Sequence, residues 1–126
     1  MSDLSLKPLE QALLSLSKAT KEKKTELVRD ATIQRFEYTF ELSWKTLKRY
    51  FKINNNVDIF NVKEVFREAG KQGLIKDVED WFEYLEARNR TSHTYSQATA
   101  EEVYEAALKF EKDAIQLLAE LKKVTS

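Results

Sequence analysis

The sequence predicts an all-α fold, an up-and-down bundle of about five helices, and three observations carry that expectation. Two glycines and one proline in 126 residues, where average usage supplies roughly 15, leave little material for β-hairpins or Gly-rich phosphate loops. Apolar residues make up 42% and charged residues 33% of the chain, proportions that suit long amphipathic helices and exclude global disorder. Apolar side chains also recur at steps of three and four, the period of one helix face. The length suffices for one core and is too short for two ordinary ones, so residues 1–126 are expected to form a single domain.

Leu6, Leu9, Leu13 and Leu16 define a first helix near residues 5–22, with Pro8 tolerated in its first turn. A polar connection, Lys21-Glu22-Lys23-Lys24, follows. Phe36, Phe40, Trp44, Leu47 and Phe51 step by four, four, three and four through a second helix, about residues 25–52, which is expected to be the longest and the centre of the core. Asn54-Asn55-Asn56 interrupts the pattern, since Asn favours turns, and residues 53–60 read as a loop. Asn61 with Glu64 caps a short third helix carrying Val62, Val65, Phe66 and Ala69, and Gly73 ends it. Asp77 caps a fourth helix with Val78, Trp81, Phe82 and Leu85 inward, whose pattern stops at Ala87. Thr99 with Glu102 reads as the capping box of a last helix. There Val103, Ala107, Phe110, Ala114, Leu117, Leu121 and Val124 form a sustained seam.

Composition also bounds function. The 21 Lys and Arg balance 21 Asp and Glu, so bulk charge gives no argument for nucleic acid, membrane or acidic substrates. Cysteine is absent, and one His cannot supply a zinc site. No cofactor is expected. The N-terminus lacks a basic start followed by an apolar run, and no window approaches the roughly 20 apolar residues needed to cross a bilayer. A soluble, cytoplasmic protein without membrane association is the expectation. Trp44 and Trp81 fall at apolar helical spacing and are assigned to the core rather than to base stacking. Lys45, Lys48, Arg49 and Lys52 lie along the end of the second helix, either as a solvated surface or as a local basic footprint.

The segment Arg88-Asn89-Arg90-Thr91-Ser92-His93-Thr94-Tyr95 differs in kind. It gathers two arginines, an amide, the single His and a Tyr where the hydrophobic period has lapsed. In a continuous helix Arg88 and His93 would point about 140° apart, so they converge only if the backbone bends between them. A guanidinium beside an imidazole suits phosphodiester chemistry. Imidazole titrates near neutrality and can take the proton of a ribose 2′-hydroxyl, while guanidinium holds the phosphate and steadies its transition-state charge. Residue chemistry alone leaves another reading open, in which Arg88 and Arg90 cap helix-end carbonyls and His93 is an ordinary loop residue.

The same eight residues resemble the Arg-x4-His-x-Tyr signature of HEPN domains, in the form found in HepT toxins and nucleotidyltransferase substrate-binding proteins. The stretch from Ile33 to Lys45, with Arg29-Asp30 before it, is similar to the long-helix signature of the substrate-binding branch, and Phe66-Arg67-Glu68-Ala69 with Gly73-Leu74-Ile75 fits that branch too. The resemblance spans roughly residues 5–120. It implies a homodimer whose Arg/His segments line one cleft, and a cognate minimal nucleotidyltransferase. In toxin members the cleft is a metal-independent endoribonuclease, silenced when the transferase moves AMP from ATP to the signature Tyr. By motif position Arg88 and His93 are then the catalytic pair, Asn89 and Arg90 the substrate-contacting neighbours, and Tyr95 the residue that receives AMP. Single-stranded RNA or a nucleotide is the implied ligand. The alternative is a non-catalytic subunit that binds a nucleotide or presents substrate to the transferase. A third class is a helical dimerisation module whose polar loop does no chemistry.

Overall fold

A computed structural model describes residues 4–126. Over that range the chain forms five α-helices, α1 (Lys7–Thr20), α2 (Glu26–Asn55), α3 (Val62–Lys71), α4 (Val78–Asn89) and α5 (Gln97–Thr125), with a single 3-10 turn at Thr91–His93 joining the last two. Pro8 sits in the first turn of α1, where a missing N–H costs no hydrogen bond. Thr25 caps α2 by accepting from the Val28 N–H at 3.1 Å. That helix closes on Asn56 in the left-handed conformation (φ 53°), which Asn tolerates better than most residues. Asn61 and Asp77 cap α3 and α4 through the N–H groups of Lys63 and Glu79, both at 2.9 Å. Gly73 takes φ 74° directly after α3 and turns the chain toward α4.

The long helices α2 and α5 carry the centre of the core, with α1 packed on both and α3 and α4 closing the other side. Phe36, Phe40, Phe66, Trp81, Tyr84 and Phe110 pack there edge-on or tilted, with ring centroids such as Phe36 and Phe110 5.1 Å apart. Across the α1–α2 seam, the Thr39 hydroxyl donates to the Ala12 carbonyl at 3.2 Å, and the Arg35 guanidinium donates to the Ser15 carbonyl at 2.7 Å. These bonds satisfy polar groups at a helix contact where water has little access. Among the described residues no helix is long and apolar enough to cross a membrane.

Several sequence expectations shift. Trp44 is only partly buried, whereas Trp81 is 1% exposed. Eight residues of a 3.6-residue helix rotate Trp44 about 80° away from Phe36, while Ser43, seven residues on, lies within about 20° of it, and Ser43 is the buried residue. Tyr84, absent from the expected inward set, is 1% exposed, and its hydroxyl donates to Asp113 of α5. The last helix begins at Gln97 with Ser96 as its cap, so Thr99 and Glu102 lie inside it rather than at its start. Its apolar seam holds through Leu121, but Val124 is exposed. The second helix runs to Asn55, three residues beyond its expected end near residue 52.

Candidate functional site

The bend that the sequence required between Arg88 and His93 is present. Helix α4 ends at Asn89, Arg90 is its C-cap, and the chain tightens into the 3-10 turn before α5 starts. Local bonds hold the turn: the His93 N–H donates to the Arg90 carbonyl at 3.0 Å, the Ser96 N–H to the His93 carbonyl at 3.2 Å, and the Thr94 hydroxyl to the Thr91 carbonyl at 3.2 Å. Arg88 and Asn89 therefore project from the last turn of a helix, while His93 and Tyr95 project from the connection that follows it.

Two carboxylates of α2 clamp this corner from below. Glu41 lies 2.5 Å from Arg88 Nη2, and Glu37 accepts from the Thr91 hydroxyl at 3.0 Å. Being four residues apart, Glu37 and Glu41 share one face of α2 and grip both sides of the α4 terminus. The second bond of Arg88, from Nη1 to the Asn89 side-chain oxygen, is long at 3.4 Å, and its Nε is buried with no acceptor. Arg90 points elsewhere, to Glu102 of α5 at 2.7 Å. Neither guanidinium caps helix-end carbonyls. His93 and Tyr95 are exposed, Tyr95 by 83%, and their rings meet edge-on at 6.1 Å. Among the described residues no hydrogen bond or ion pair joins Arg88 to His93.

A second ionic cluster fixes where α5 begins. Arg29 is 6% exposed and donates to the Gln97 side chain at 2.7 Å, while Lys24 reaches Glu101 at 2.5 Å. The Lys24 hydrogen bond holds the Glu101 carboxyl below the usual carboxylate range against the opposing effect of its burial, with help from Arg29. Burial works against the Arg29 charge, but the hydrogen bond and charge of Asp30, together with the charges of Glu101 and Glu26, outweigh it and raise the guanidinium above its ordinary value. The turn is thus anchored by Glu37 and Glu41 on one side and by Arg29 and Lys24 on the other. Among the described residues no group of three or more His, Asp or Glu side chains is arranged to hold a metal.

Sequence reasoning singled out Arg88, Asn89, Arg90, His93 and Tyr95 and did not single out Glu37 or Glu41. The available signal was weak: two carboxylates four apart on a polar face, a pattern common to solvated helices. The arrangement can bring a guanidinium, an imidazole and a phenol to one solvent-facing corner, with the guanidinium oriented by a carboxylate.

The nucleotidyltransferase substrate binding protein like family model matches residues 4–123. The chain is similar to a Haemophilus influenzae protein named probable ribonuclease HepT, at 39% identity over 95 aligned positions, the alignment covering 72% of this chain and 65% of that protein, just under two thirds of its length. Among solved structures, a Thermus thermophilus protein superposes with a TM-score of 0.83 at 33% identity, covering 90% of this chain and 98% of the other. A second, from Haemophilus influenzae and described as revealing the fold of a substrate binding domain of a nucleotidyltransferase, superposes with a TM-score of 0.82 at 30% identity, covering 94% and 99%.

Proposed function

This chain belongs to the nucleotidyltransferase substrate binding protein like family, and from that premise we propose that it is the partner of a nucleotidyltransferase and acts as a metal-independent endoribonuclease toxin silenced by AMP transfer to Tyr95. The observation that carries the reading is the bend at Arg90, which gathers Arg88, Asn89, His93 and Tyr95 at one exposed corner. The name of the Haemophilus relative supports the ribonuclease half of the proposal.

In the proposed reaction the His93 imidazole takes the proton from a ribose 2′-hydroxyl, whose oxygen attacks the adjacent phosphorus. The P–O5′ bond breaks, and the leaving oxygen is protonated by a second imidazole, giving a 2′,3′-cyclic phosphate and a 5′-hydroxyl. Arg88 holds the phosphate and stabilises the charge that builds on it. One His per chain cannot serve as base and acid in the same step. The proposal therefore includes a homodimer in which two corners face one cleft. Asn89 borders the phosphate site, and Arg90 contacts the strand after release from Glu102. In silencing, the Tyr95 phenol oxygen attacks the α-phosphorus of ATP held by the transferase, the bond from that phosphorus to the pyrophosphate breaks, and pyrophosphate and the phenol proton leave. The 83% exposure of Tyr95 suits that role.

A second reading, a non-catalytic subunit that presents a nucleotide or other substrate to the transferase, is favoured by the description of the second Haemophilus structure. One experiment separates the two. Purified wild type, Arg88→Ala, His93→Ala and Tyr95→Phe are incubated with single-stranded RNA in excess EDTA, with and without the transferase and ATP. Cleavage to cyclic-phosphate ends should fall about 10²-fold or more in the first two variants. Tyr95→Phe should cut RNA but escape silencing. An inert wild type that binds the transferase tightly would establish the binding-subunit reading instead.

A further inference from the structure

The C-terminal half of α2 carries a charge concentration that the neutral chain does not balance locally. Lys45, Lys48, Arg49 and Lys52 line one shallow groove together with a single carboxylate, Asp58. Asp58 sits 4.0 Å from Lys48 and 3.8 Å from Lys52, distances of loose pairing, and Arg49 has no ion-pair partner among the described residues. The loop after α2 folds back along this face. Ile59 is partly buried against the core and fixes the loop, which leaves the next side chain, Phe60, 81% exposed with the Lys48 ammonium 4.9 Å from its ring centre. An aromatic ring this exposed buries little apolar surface for the fold. It offers a flat face for stacking beside charges for phosphates.

One ion pair links the groove to the corner. Lys45 lies 3.8 Å from Glu41, the carboxylate that holds Arg88. From Lys45 to Lys52 the helix advances about 10 Å, and those cations that stand three or four residues apart are neighbours at roughly 5–6 Å, a span that suits two or three successive phosphates of one strand. A protein partner would also meet these cations. The exposed Phe60 ring beside a row of cations with one carboxylate among them favours a nucleic acid strand.

We infer that the groove of Lys45, Lys48, Arg49, Lys52 and Phe60 binds the backbone and one base of single-stranded RNA and leads the strand to Arg88. This rests on the reading of the corner as a ribonuclease site, and the test is arranged so that the two fail separately. Full-length His93→Ala protein is titrated into a fluorescein-labelled oligouridylate of about twelve nucleotides, and anisotropy is followed across a salt series. Lys48→Gln/Arg49→Gln in that background should weaken binding about tenfold or more and flatten the slope of log K against log salt by about 1.4, about 0.7 for each cation removed. Phe60→Leu should weaken binding about fivefold or more with the slope unchanged. Lys21→Gln/Lys23→Gln, in the connection between α1 and α2, is the charge-matched control and should bind as the parent does.

No measurable binding by the parent at low salt, or groove variants that match it, overturns the inference. So do groove variants that keep the oligonucleotide but lose the transferase, which would make the groove a protein-docking face. If wild type cuts no RNA while the groove variants lose binding as described, the ribonuclease reading fails and the groove stands. If wild type cuts RNA and the groove variants in the His93→Ala background bind as the parent does, the groove fails and the ribonuclease reading stands.

Discussion

Burial raises the Tyr84 phenol well above its ordinary value of 10.0, and the hydrogen bond to Asp113 adds to the shift. A raised phenol binds its proton more tightly in the folded chain than in the unfolded one, so its stabilising contribution is complete below pH 10 and is lost progressively as pH rises from there toward the raised folded-state value. Chemical denaturation between pH 8 and pH 11 should show wild type losing stability above about pH 10, with a flatter profile for Tyr84→Phe. At neutral pH the same variant should cost about 1–3 kcal/mol, because a carboxylate at the core edge loses its donor. Among the described residues His93 has no side-chain hydrogen-bond partner, and it is exposed, so His93→Ala should change stability by less than about 1 kcal/mol, checked in the same melts. Arg88 and His93 were legible as candidates because polar chemistry is concentrated where the apolar period lapses. Glu41 was not, since its pairing with Arg88 spans 47 positions and exists only once α4 docks on α2.

At the scale of the elements, contacts at helix ends set the corner. Ser96 caps α5 by accepting from the Thr99 N–H at 3.4 Å. Ser96→Ala should lower stability by up to about 1 kcal/mol, whereas Thr99→Ala, inside the helix, should be neutral or slightly stabilising because Ala is the better helix former. Thermal melts of the two variants distinguish the cap that forms from the one the sequence offers. Both Ser96 and Thr99 are good capping residues three apart. The choice between them follows from how tightly the 3-10 turn reverses the chain. Gly70 marks a second close contact, where a Cβ would fall 2.4 Å from Val78 Cγ2 at the start of α4. Val is stiff at this position, so Gly70→Ala should separate α3 from α4 and cost about 1–3 kcal/mol, measured by urea denaturation.

For the molecule as a whole, the two tryptophans separate core from surface. Trp81→Ala should cost about 3–5 kcal/mol as a large-to-small change in a filled interior. Trp44→Ala should cost clearly less, because Trp44 keeps one side open with Lys45 5.8 Å from its ring centre. Denaturant melts of both variants check the order. The proposed composite cleft makes an assembly prediction as well: light scattering at micromolar concentration should give about twice 14.8 kDa. A monomer there would remove the second imidazole that the proposed proton transfers require.

The sequence alone determined the all-α class, the order of the helices, the caps of α3 and α4, the inward stripe of α1 and that of α5 through Leu121, because each follows from local propensity and a period of three to four residues. It also marked the segment from Arg88 to Tyr95, since a lapse in that period is itself local. Only the tertiary structure decided that Trp44 faces partly outward, that Tyr84 is buried on Asp113, that Ser96 rather than Thr99 starts α5, and that Glu37 and Glu41 grip the corner. Those features depend on the rotation of one helix against another and on contacts between residues distant in the chain. Periodicity fixes which residues share a face but leaves open which neighbour that face meets.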